Sequence, residues 1–66
     1  MSNEKRVKAV HPTAHEHWKG AEMPLCEIID AKGHVLGSAP VDAARTYPQI
    51  IDAAWADAAH KLGVEQ

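Results

Sequence analysis

TYPQIIDAAWADAAHKLG, residues 46–63, decides the architecture, because a start signal, a periodic apolar face and a stop signal agree on one helix. Thr46, with Gln49 three residues on, fits a capping box in which each side chain satisfies an orphan backbone N–H of the first turn. Pro48 falls where a missing N–H costs little. Ile51, Ala54, Trp55, Ala58 and Leu62 recur at i, i+3, i+4, i+7 and i+11, which lays them along one stripe. Asp52 and Asp57 lie off that stripe. His60 and Lys61 put positive charge at the carbonyl end of the dipole, and Gly63 can take the left-handed cap. About 16 helical residues at 1.5 Å each give roughly 24 Å of rod. The stripe must be buried against the rest of the chain.

Residues 25–30, LCEIID, then Ala31-Lys32-Gly33, then residues 34–38, HVLGS, read as a hairpin. Asp30 at the first turn position and Gly33 at the fourth suit a type I turn closing into a left-handed Gly bulge. Ile28, with Val35 or Leu36, should face the helix, and Gly37 marks a close approach or a bulge. Residues 6–10, RVKAV, alternate so that Val7 points away from Arg6 and Lys8, which predicts a short strand. His11-Pro12-Thr13 should end it, since Pro12 cannot donate to a ladder. Residues 14–18, AHEHW, fit strand and loop equally. Residues 40–45, PVDAAR, suggest a short helical turn with Val41 and Ala44 inward, broken from the main helix near Thr46 because Pro48 disfavours helical φ/ψ at Tyr47.

The expected fold is α+β: a small antiparallel sheet of two to three strands packed against one C-terminal helix, β-β-β-α-like. It is one domain over residues 1–66, with 1–5 and 64–66 frayed. Trp55 and Leu62 should couple to Ile28, Ile29 and Val35.

A chain of 66 residues has a thin core, since domains near this size bury about 60% of the surface the unfolded chain exposes. There is no Phe, and Trp18, Tyr47 and Trp55 are the aromatics, so few large side chains fill the interior. Stability is therefore modest or shared with a partner. The formal charge of −2 argues against a dedicated polyanion binder. Five His would carry it to about +3 if all were protonated. Cys26 is the one cysteine, which points to a reducing compartment. The first residues lack an apolar signal core, and no run reaches the length of a membrane span. The expected location is cytoplasmic, with no membrane partner.

Each chemical candidate has a plainer rival. His11, His15 and His17 share parity, and His34 can join them across a sheet, so a His-rich zinc-stabilised domain with Cys26 as a further ligand is one reading. No CxxC or HExxH supports it, and solvated imidazoles on a polar edge are the rival. Cys26 sits inside an apolar strand, where a free thiol usually acts as a small hydrophobe. Lys5, Arg6 and Lys8 with Trp18 would make a weak nucleic-acid surface, but three cations are a small footprint beside a solvated strand edge. Asp42, Asp52, Asp57 and Glu65 either meet a basic partner or form the solvated helix face. Trp18 and Tyr47 stand outside the stripe, as binding hot spots or as closure of the core.

No catalytic constellation is present, so no enzyme activity and no cofactor are expected. In general style, the hairpin and the helix ending AWADAAHKLG resemble small accessory proteins of bacteria and their phages, without a matched motif. The function expected is a small non-enzymatic protein-interaction module, an accessory or inhibitor protein binding a larger protein partner or a second copy of itself. The residues expected to carry it are Trp18, Tyr47, Asp52 and Asp57.

Overall fold

The computed structural model describes residues 2–20 and 22–65. The chain runs α1 (Asn3–Val10), β1 (His15–Lys19), β2 (Leu25–Ile29), β3 (Val35–Pro40) and α2 (Tyr47–Leu62). The strands form one antiparallel sheet in the order β1-β2-β3. Helix α2 packs on β3 and β2, and α1 packs beside α2. This is the expected α+β fold with its C-terminal helix, to which a short N-terminal helix is added.

Helix α2 forms where its signals place it. The Thr46 side chain accepts from the Gln49 N–H while the Gln49 side chain accepts from the Thr46 N–H, completing the capping box. At the other end Gly63 takes φ 71°, and its N–H closes on the last carbonyls. The buried face is Ile50, Ala54, Trp55, Ala58 and Ala59, with Ile51 and Leu62 half-buried beside it. The expected stripe is thus right at its centre and too narrow. Ile50 on one flank and Ala59 on the other are buried because α2 meets both the sheet and α1, and two neighbours cover a wider arc than one.

The hairpin turn also closes as expected. Gly33 has φ 83°, its N–H donates to Asp30 O, and the Asp30 N–H donates to His34 O. Asp30 Oδ1 accepts from the N–H groups of both Lys32 and His34 at 2.9 Å, a side-chain clasp that fixes the turn. Ile29 pairs with Val35 while Ile28 pairs with Gly37, so Leu36 is the extra residue of a bulge. Cys26, Ile28, Gly37 and Ala39 then face the helices. Val35, expected to be a helix-facing candidate, is turned to the opposite face and is exposed, whereas Leu36 packs against the core. Ile29 likewise stands outside the cluster that joins Trp55 to Ile28.

The N-terminal strand expected at RVKAV is instead helical. Ser2 caps α1 by accepting from the Lys5 N–H, and Glu4 and Lys8, one turn apart, pair at 2.7 Å. Alternation over five residues does not separate a strand from one turn of helix, and Lys, Arg, Ala and Glu are helix formers. Val7 is fully buried against the rest of the core. The third strand is β1, drawn from the ambiguous AHEHW. Of the ends expected to fray, residues 2–5 form this cap and first turn, the Val64 N–H donates to Ala59 O, and Met1 and Gln66 lie outside the described residues. In residues 40–45 the expected helical turn is a tight turn. The Arg45 N–H donates to Asp42 O, the Ala44 N–H to Asp42 Oδ1, and Val41 packs inward while Ala44 is exposed.

Candidate interaction surface

Strand β1 is the outer strand at which most of the candidate residues meet. Its register against β2 pairs Glu16 with Ile28 and Trp18 with Cys26. Glu16 and Trp18 therefore share the helix-facing side of the sheet, and His15, His17 and Lys19 share the opposite, open side. All five residues of the strand are nevertheless exposed, because α2 lies over β3 and β2 and leaves β1 at the margin.

At that margin Trp18 meets Tyr47, the first residue of α2. Their ring centroids are 5.4 Å apart and their planes cross at 81°, an edge-to-face pair. Trp18 is 43% exposed and Tyr47 68% exposed, and together they line an open concavity. The pair arises because the capping box fixes where α2 begins while the β1–β2 register fixes where Trp18 projects. Such a pair contributes about 0.5–1.5 kcal/mol beyond its buried area. Most of Tyr47 and somewhat less than half of Trp18 are still left to solvent.

The other proposed interaction residues do not join them. Asp57 is committed within the fold: its Oδ2 accepts from the Ser38 N–H at 2.9 Å on the outer edge of β3 and pairs with Lys61 Nζ at 3.0 Å. Burial pushes its carboxyl up, but the Ser38 N–H and the Lys61 ammonium outweigh it and hold the group below the usual carboxylate range. Asp52 is exposed and lines a separate concavity with Ser2, Asn3, Glu4 and Trp55, where Asn3 Oδ1 is buried with no hydrogen-bond partner among the described residues.

Trp55 is nearly fully buried, as its place on the stripe requires. Its Nε1–H donates to Glu16 Oε1 at 3.4 Å, and Lys8 Nζ lies 5.4 Å from the ring centroid. One indole thus ties α1, β1 and α2 together. No local signal in the sequence marks Glu16, since its role depends on a contact 39 positions away.

The histidines divide. His15 and His17 lie on the open side of β1, with His15 Nδ1–H donating to Thr13 O at 2.8 Å. His11 follows the end of α1, and His34 lies beside Asp30, Nδ1 to Oδ2 at 3.4 Å. Among the described residues, no three His, Cys, Asp or Glu side chains come together as a metal site. Cys26 is fully buried, and burial, reinforced by the Glu16 carboxylate, pushes its thiol up, the opposite of what a nucleophile needs. Of the basic residues, Lys8 is held by Glu4 and the Trp55 ring, and Lys5 and Arg6 share its helix; Trp18 is on a different element. Among the described residues, no helix is long and apolar enough to cross a membrane.

Comparison with protein-family models, with curated proteins and with solved structures finds no significant match to the chain.

Proposed function

We propose that this chain is a small non-enzymatic protein-interaction module whose contact surface is centred on Trp18 and Tyr47, an accessory or inhibitory component that acts by binding a larger protein. One observation carries the reading. Two rings from elements far apart in sequence are brought edge to face, and both remain exposed to solvent, Tyr47 for the most part and Trp18 for somewhat under half. Exposed aromatics held rigid by their neighbours are the side chains that most often anchor protein interfaces. A thin core on a 66-residue chain adds to the case, since a partner would supply burial that the domain cannot provide for itself. Asp57 drops out of the contact set because the fold uses it, and Asp52 serves at most a separate surface.

The test is affinity capture from a bacterial lysate with the wild-type chain and a W18A/Y47A variant side by side, together with light scattering across concentration. A retained protein, or a self-associated species, that is lost with the two rings supports the reading. A chain that stays monomeric and retains nothing in a ring-dependent way overturns it.

A further inference from the structure

We propose that Glu16 is a positioning residue for the aromatic surface: by accepting from the buried Trp55 indole it holds β1 against α2 and so sets the edge-to-face contact of Trp18 with Tyr47. The inference rests on the protein-interaction reading above, to which it adds the residue that shapes the contact surface.

The need for an acceptor starts at Trp55. Its ring is 2% exposed, and a buried indole N–H requires a hydrogen-bond partner in place of the water it has left. Glu16 Oε1 supplies one at 3.4 Å, in a contact that is itself part-buried. Taking the acceptor away strands a buried donor, which costs more than an ordinary hydrogen bond contributes. Glu16 is otherwise an exposed residue on the helix-facing side of its strand, and the Trp55 N–H accounts for a carboxylate at that place.

Strand β1 is the element that such a bond can move. It pairs with β2 on one side only, and that pairing fixes its register, with Glu16 beside Ile28 and Trp18 beside Cys26. Register does not fix tilt, since neighbouring strands twist against one another over a broad range of angles. Helix α2 packs mainly on β3 and less on β2, so the tilt of the outer strand is left to side chains. Two bridges from one face of β1 set it. Glu16 reaches Trp55, and Trp18, two residues along, reaches Tyr47 at the start of α2. The two helix positions stand roughly 12 Å apart along the rod, so together the bridges hold the strand at two heights. With Trp18 43% exposed and Tyr47 68% exposed, the ring pair buries too little to hold the strand by itself. Glu16 is therefore what keeps Trp18 within reach of Tyr47.

The test reads the ring contact directly, from the aromatic proton spectrum of the full chain. Tyr47 is the one tyrosine, so its ring signals are unambiguous, and their displacement from the positions they take in W18A measures the ring current of Trp18. Each variant is read at a temperature where circular dichroism shows it folded. Glu16→Ala should remove most of the displacement, and Glu16→Gln, whose amide oxygen still accepts from the indole, should keep it. Trp55→Phe breaks the same bond from the donor's side and should match E16A, which keeps the test readable if E16A does not fold. The E16A/W55F double variant should lose no more than either single one. A less stable E16A or W55F chain with the full Tyr47 displacement makes the bond merely structural and overturns the proposal, while leaving the interaction reading untouched. Equal loss in E16Q and E16A overturns the acceptor role. Failure of the interaction reading is separate, since it is read in ring-dependent capture and not in these shifts.

Discussion

Gly37 and Ala58 pack backbone against backbone: an ideal Cβ on residue 37 would stand 2.5 Å from Ala58 Cα, 2.7 Å from Ala58 Cβ and closer still to Ala58 N. The obstruction is mid-helix backbone, which no rotamer change can relieve. Gly37→Ala therefore lifts α2 from β3 and draws Asp57 away from the Ser38 N–H it caps. Overpacking a core usually costs about 1–3 kcal/mol, occasionally more, and this contact belongs at the upper end. In a domain this small, about 3 kcal/mol lowers Tm by roughly 12–24 °C. Gly20→Ala is the control, because nothing lies within 4 Å of its Cβ position. Thermal melts followed by circular dichroism decide the matter, and a G37A midpoint within about 4 °C of wild type would refute the close approach.

Trp55 is the second test of the packing. Its indole is 2% exposed and touches three elements, so Trp55→Ala should cost about 3–5 kcal/mol, enough to unfold most of the population. Trp55→Phe keeps a ring and loses the donor to Glu16, a neutral-to-charged hydrogen bond made long at 3.4 Å. Its loss should cost about 1–2 kcal/mol including the smaller ring. Urea unfolding of the two variants measures both. A loss under about 1 kcal/mol for the alanine variant would mean that the ring is not in the core.

Stability should fall at acid pH through two carboxylates with known partners. Asp30 is held below the usual carboxylate range chiefly by the His34 N–H, with the Lys32 N–H also lowering it, and Asp57 by the Ser38 N–H and Lys61 against the opposing effect of burial. A group whose folded value lies below its unfolded value stays charged in the native state while the unfolded chain is already taking up a proton. The stability it contributes is full above the unfolded value, about 3.9 for Asp, and is lost as pH falls through the folded value. His60 runs the other way: its Nδ1–H donates to Glu65 at 2.8 Å, which raises it, so its contribution is full below about 6.5 and is lost on the alkaline side. Urea midpoints measured from pH 2 to 8 should show the acid decline below about pH 4, and D57N and D30N should each make it shallower. Variants with the wild-type acid limb would show that these clasps do not form.

What the sequence makes legible is what it encodes locally. The Thr46–Gln49 box, the Gly63 stop, the Asp30–Gly33 turn and the warning at Gly37 are each set by residues within a few positions, and each is found in place. The failures lie where the deciding contact is remote. RVKAV alternates like a strand, yet Ser2 and the Glu4–Lys8 pair make it a helix, and five residues hold too few periods to separate the two. The choice between Val35 and Leu36 for the helix side falls to Leu36 because the bulge shifts parity, and parity after a bulge cannot be counted from the turn. Asp57 carries no local sign that it will reach Ser38, 19 positions away. In the sequence Trp18 and Tyr47 are two unplaced rings, and only the packing of α2 across the sheet makes them neighbours.

The interaction reading requires that Trp18 and Tyr47 do little for the fold, and that is measurable apart from any partner. Tyr47 stands mostly in solvent and Trp18 lies at the sheet margin outside the buried core, so each single alanine variant should lose no more than about 1.5 kcal/mol. A double-mutant cycle should return a coupling of about 0.5–1.5 kcal/mol for the edge-to-face contact. Trp18 fluorescence offers a second view: with Trp55 buried, acrylamide should quench the wild type in two populations and W18F in one shielded population. If both variants melt like wild type, a loss of binding in W18A or Y47A reports a lost contact and not a lost fold. Should either truncation cost more than about 3 kcal/mol, the ring belongs to the core, and the surface proposed for a partner has no anchor.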